Sequence, residues 1–116
     1  MRIHRLQHVP FEGPAAIADW AAARGHQLAF TRPMLTRSCP ALSGTSTGCW
    51  LQGPMNIYQE KQYSWLKAEK ACIDRPGCRQ QKTLLGICLG AQLLVDRLGS
   101  RVYAGPGERE IGWWPL

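Results

Sequence analysis

Leu84-Leu85-Gly86-Ile87-Cys88-Leu89-Gly90-Ala91-Gln92-Leu93-Leu94 sets one cysteine between two glycines where an apolar strand gives way to a helix. The pattern Gly-x-Cys-x-Gly is the cysteine form of a nucleophile elbow. Its turn is so tight that the flanking Gly86 and Gly90 must be small, and the nucleophile projects from the edge of a sheet. Cys88 then stands at a helix N-terminus, where the helix dipole and free N–H groups favour thiolate over thiol. The plainer alternative is a buried cysteine in an ordinary strand-to-helix joint; the glycine spacing and the flanking leucines favour the elbow.

Outward from the elbow, Lys82 to Ile87 supplies the strand and Gly90 to Leu98 the helix, stopped by Gly99, with Arg101 to Tyr103 opening another short strand. At the start of the chain, Arg2 to His8 alternates apolar Ile3 and Leu6 with polar residues and stops at Val9-Pro10, which suits a strand and a loop. Gly13-Pro14 opens an alanine-rich helix, Ala15 to Arg24, with Ile17, Trp20 and Ala21 on one face and Gly25 as its stop. His26 to Thr31 reads as a second strand, and strand-helix-strand is the building block of a parallel sheet. Tyr58 to Ile73 carries Tyr63, Leu66, Lys67 and Lys70 at helical spacing, with Glu69 among them. The fold class is therefore α/β, a parallel sheet flanked by helices.

The chain's 116 residues form one small domain with a modest core. Apolar residues at 45% and charged residues at 19% are ordinary for a globular protein and argue against wholesale disorder. Met1-Arg2-Ile3-His4-Arg5 lacks the apolar stretch of a signal peptide, and no run approaches the roughly 20 apolar residues that span a bilayer. A cytoplasmic location with no membrane partner is expected. The net charge of +6 invites a nucleic-acid reading, yet Lys and Arg are scattered with no aromatic-interleaved cluster, so no nucleic-acid partner is expected. The five cysteines, Cys39, Cys49, Cys72, Cys78 and Cys88, form no C-x-x-C pair, and their odd count argues against a disulfide framework. Neither a metal nor a cofactor is expected.

Three stretches together resemble the class I glutamine amidotransferases, of the kind found as the glutaminase part of GMP synthase. They are His4 to Arg32; Gly53-Pro54-Met55-Asn56-Ile57-Tyr58 with the helix after it; and Leu84 to Leu116, including Gly105-Pro106 and Glu110-Ile111-Gly112-Trp113-Trp114-Pro115. The resemblance implies a flavodoxin-like architecture of which residues 1–116 are the N-terminal portion of a single domain, the C-terminal portion being absent. It implies that Cys88 attacks the side-chain carboxamide of glutamine, forms a glutamyl thioester and releases ammonia, after which water frees glutamate. Elbow geometry makes the backbone N–H of Leu89 one oxyanion donor, and the resemblance makes that of Gly53 the other. Gln92 matches a residue that contacts the bound glutamine, the alternative being a solvent-facing helix residue. Partners implied are glutamine or a γ-glutamyl compound as substrate and an ammonia-accepting synthetase. The family draws its acid–base histidine and carboxylate from a His-x-Glu segment downstream of the elbow, whereas His4, His8 and His26 all precede it. The chain alone is thus expected to be inactive. His8 ends the first strand and is expected in a surface or loop role rather than at the sheet's active edge.

Two stretches depart from the family pattern. Where the family has an apolar strand leading to Gly-Gly-Pro, Ser43 to Gln52 shows no strand-like alternation, and Gln52 replaces a glycine. Codons for Gly44 to Leu51 can be chosen so that the adjacent frame spells Asp-Phe-Asp-Trp-Leu-Leu-Val, a buried-strand sequence. Codons for Arg75 to Arg79, whose Pro-Gly breaks a helix, can be chosen to hide Gln-Ala-Val-Ala in the same way. Pro33 to Gln52 and Arg75 to Gln81 are accordingly expected to be read out of frame, and the sheet to lack its native central strand. Three functional readings follow: a glutaminase or γ-glutamyl peptidase; a non-catalytic, truncated or frame-damaged remnant; and an unrelated cysteine hydrolase or redox sensor. The last leaves the Gly-Pro-Met-Asn and Gly-Trp-Trp-Pro matches unexplained.

Overall fold

The computed structural model describes residues 1–36, 47–75 and 82–107. The chain runs β1 (Arg2–Gln7), α1 (Ala16–Ala23), β2 (Gln27–Thr31), α2 (Pro33–Thr36), β3 (Gly48–Gly53), α3 (Trp65–Ile73), β4 (Thr83–Cys88) and α4 (Leu89–Arg97). The four strands form one parallel sheet in the order β2-β1-β3-β4. Strand order reverses at β1, so the carboxyl ends of β1, β3 and β4 share one edge beside a topological switch point, where open α/β sheets place their ligands.

Alternation sorts the strands into two faces. Leu6 lies opposite Leu51 in register, and both point into a core closed by Leu66 and Ile73 of α3 and by Leu89 and Leu93 of α4. All six are fully or almost fully buried. Each is worth about 1.5–3 kcal/mol of hydrophobic transfer. The other face carries Arg5, Trp50, Phe30 and Leu85, with the Arg5 guanidinium 4.9 Å from the centre of the Trp50 ring. Towards the sheet's outer strands that face is open, leaving Phe30 61% and Leu85 48% exposed.

The expected gap in the sheet is not there. Gly48–Gly53 forms a central strand between β1 and β4, buried at every position except the half-buried Gln52. Alternation was the wrong signal to seek: a central parallel strand is covered on both faces, so the short apolar run Cys49-Trp50-Leu51 suffices. Most of the rest of the two anomalous stretches, residues 37–46 and 76–81, lies outside the described residues, as do Cys39, Cys78 and Glu110 to Pro115.

Other boundaries moved for local reasons. The helix expected from Tyr58 begins at Trp65, because side chains there bind nearby backbone and favour turns. The Asn56 carboxamide oxygen accepts from the Tyr58 N–H at 2.9 Å, and that of Gln59 from the Asn56 N–H at 2.8 Å. Arg101 to Tyr103 joins no strand; the Val102 carbonyl instead accepts the Tyr58 hydroxyl. In α1 only Ala21 is buried, while Trp20 stays exposed with its ring edge against His26.

Candidate active site

β4 ends at Cys88, directly opposite Gly53 at the end of β3, and α4 begins at the next residue. Cys88 holds φ 53° and ψ −112°. That conformation costs a non-glycine residue about 1–3 kcal/mol and persists only where the surroundings enforce it. Here they do. A Cβ at Gly86 would lie 2.4 Å from the Gly90 carbonyl carbon, and one at Gly90 would lie 2.0 Å from the Leu51 carbonyl oxygen. Both glycines are therefore fixed by backbone approach, which lets α4 seat against β3 and turns the Cys88 thiol outward, where it is exposed. Cys49 and Cys72, by contrast, are buried.

Around the elbow, Gly53 is wedged tightly: a Cβ there would meet Met55 Sδ at 2.8 Å, Leu89 Cδ2 at 3.0 Å and His8 Cβ at 3.1 Å. Leu89 buries its side chain in the core, and its backbone N–H is the first of α4. Gln92, one turn into the helix, is half-buried, and its amide oxygen is shut off from solvent without a hydrogen-bond partner among the described residues. The loop leaving Gly53 is tied to α3 through Lys70 Nζ, which donates to the Ile57 carbonyl at 2.9 Å and to Glu60 Oε1 at 2.5 Å. The Lys70 hydrogen bond holds the Glu60 carboxyl below its ordinary pKa.

His8 does not sit on the surface. Its side chain is fully buried at the carboxyl edge, with Nε2 2.7 Å from Glu69 Oε2, Nδ1 hydrogen-bonded to the Gln52 carbonyl, and the ring stacked on Trp65 at 4.7 Å. A buried histidine survives there because both nitrogens have partners. The usable sequence signal was Glu69, a carboxylate on the same helical face as Leu66 and Ile73, which on a core-facing stripe demands a buried partner. The other histidines are engaged away from Cys88. His4 Nε2 meets Thr31 Oγ1 at 2.8 Å, and His26 Nδ1 lies 3.2 Å from the Met1 amino group. Burial first, and Lys82 second, push the His4 pKa down.

The arrangement offers an exposed thiol at a helix start, two backbone segments converging beside it, and a half-buried carboxamide one turn away. No model of a known protein family matches this chain. The glutamine amidotransferase-like protein YfeJ of Salmonella typhimurium is 30% identical over 120 residues, covering 100% of this chain and 49% of YfeJ. The crystal structure of a glutamine amidotransferase from Thermotoga maritima matches with a TM-score of 0.79 and 29% identity, over 97% of this chain and 49% of that one. The crystal structure of SMU.1228c matches with a TM-score of 0.72 and 32% identity, over 85% of this chain and 44% of that one. The chain thus spans about half the length of the relatives it matches. Among the described residues, no helix is long and apolar enough to cross a membrane.

Proposed function

On the premise that this chain is glutamine amidotransferase-like over about half the length of such proteins, we propose that it carries the nucleophile side of a class I, GMP synthase-like glutaminase site. The observation that carries this reading is Cys88 at φ 53°, exposed at the carboxyl edge and in register with Gly53. In the proposed reaction the Cys88 thiolate attacks the side-chain carbonyl carbon of glutamine, and the carbonyl oxygen becomes an oxyanion. The N–H groups of Leu89 and Gly53 stabilise it; such a donor is typically worth about 10²–10³ in rate. Collapse of the adduct breaks the C–N bond, and the nitrogen takes a proton and leaves as ammonia. Water then cleaves the thioester, giving glutamate and the free thiol. Gln92, half-buried one turn into α4, contacts the substrate's polar end.

Two proton transfers in that sequence need a base near the sulfur. All three histidines of the chain are bonded elsewhere, His8 most firmly of all. The reading therefore assigns the acid–base histidine to residues outside this chain, and the ammonia to a cytoplasmic acceptor. Incubation with glutamine, with glutamate measured enzymatically, tests it: the chain alone should give no turnover above Cys88→Ala. Turnover abolished by Cys88→Ala would overturn the assignment of the base to another segment.

A further inference from the structure

We propose that the open face of the sheet carries a binding site apart from the elbow, built on Arg5 and Arg32, for a small carboxylate with a flat apolar body. A cleft of about 250 Å³ lies there along β1 and β2, lined by Arg5, Gln7, Leu28, Phe30 and Arg32 and by Gly13-Pro14 ahead of α1. Arg5 and Phe30 are partners in the parallel register, which sets them side by side on one face. β3 stands between this cleft and the strand that ends in Cys88, so the site is independent of the glutaminase reading.

A guanidinium is almost never fully buried unless it is paired. Arg5 is 4% exposed, and among the described residues no carboxylate oxygen comes within ion-pair distance of it. Its Nη2 donates to the Glu12 carbonyl at 2.6 Å and its carbon centre lies over the Trp50 ring, while its Nε–H is shut off from solvent with no acceptor. Leaving a buried charge uncompensated costs stability, which an anion entering the cleft recovers. The walls are held in place by Gln7, whose Nε2 donates to the Val9, Pro10 and Glu12 carbonyls and whose Oε1 accepts from Arg32 Nε at 3.3 Å. Charge balance selects the ligand. Arg5 and Arg32 bring two positive charges; the Glu12 carboxylate, which acts on Arg5 through space and has its own Oε2 buried without a partner, brings one negative. A carboxylate cancels the remaining positive charge, whereas a phosphate monoester overshoots it. The apolar body follows from Phe30, 61% exposed with the Arg32 guanidinium 5.4 Å from its ring centre, on which a flat ring stacks. The cleft's volume suits one ring and its carboxylate rather than a drug-sized ligand, whose pockets start at about 300 Å³.

The probe is phenylacetate, titrated into the ¹⁵N-labelled full chain and followed at the β2 backbone amides and at the Arg5 Nε–H resonance, identified by its loss in Arg5→Met. Phenylacetamide is the uncharged near-isostere, and phenyl phosphate carries the larger charge. Phenylacetate should shift these resonances saturably and move the Arg5 Nε–H. Phenylacetamide should bind about tenfold or more weakly, the scale of one lost hydrogen bond to a charged group, and phenyl phosphate more weakly than phenylacetate. Arg5→Met should lose binding to the same degree as the amide, and Phe30→Ser, at an exposed position, should weaken it with the fold intact. Cys88→Ala should bind as the wild type does. No saturable shift, equal binding of acid and amide, or binding unchanged in both Arg5→Met and Phe30→Ser would overturn the site. Tighter binding of phenyl phosphate would overturn the choice of carboxylate, and loss of binding in Cys88→Ala would overturn its separation from the elbow.

Discussion

The strain at Cys88 is the residue-scale signature of the site. A left-handed backbone at a side-chain-bearing residue is maintained by the close approaches of Gly86 to Gly90 and of Gly90 to Leu51. Comparing two thiol-free variants isolates it. Cys88→Gly accepts φ 53° without strain and Cys88→Ala does not. The glycine variant should be more stable by about 1 kcal/mol, measured as a urea midpoint difference, even though glycine normally costs more backbone entropy than alanine. Equal midpoints would mean that the elbow is relaxed. The elbow was legible because its glycines stand beside it in sequence. The His8–Glu69 pair was harder to read, because its members are 61 residues apart and only Glu69, on the core-facing stripe with Leu66 and Ile73, carried a signal.

At the scale of elements, local signals served well where an element carries its own punctuation. β1, β2, α1 and the β4-to-α4 joint stand within a residue or two of their expected bounds, with Gly25 at φ 65° and Gly99 at φ 95° as the helix stops. β3 was illegible because its strand character comes from neighbours on both edges and both faces rather than from a period of two. Its reality as a core strand has a direct consequence. Leu51→Ala should cost about 2–5 kcal/mol in urea unfolding, whereas a loop leucine would cost under about 0.5 kcal/mol. β1 adds a pH dependence. The folded pKa of His4 lies below its ordinary 6.5, so the unfolded chain binds the proton more readily. The full contribution to stability is present above pH 6.5 and is lost as pH falls from there towards the folded value. His4→Gln should therefore flatten the decline in urea midpoint between about pH 7.5 and 5.5; an unchanged slope would remove His4 from the account.

For the whole molecule, the sheet gathers the ends of β1, β3 and β4 along one edge and so brings Gly53 and Cys88 together from 35 residues apart in sequence, with His8 packed against Gly53 from the far side. The same sheet leaves Phe30 and Leu85 in solvent on its other face. What the fold assembles is an exposed thiol at a helix start in register with Gly53, with every histidine of the chain engaged elsewhere. Acylation and turnover should accordingly separate. The most direct measurement is intact and peptide mass spectrometry of the chain after exposure to the diazoketone analogue of glutamine. The account predicts one adduct per chain, on Cys88, slowed by added glutamine and missing from Cys88→Ala. No adduct, or adducts spread over the other cysteines and retained in Cys88→Ala, would contradict it.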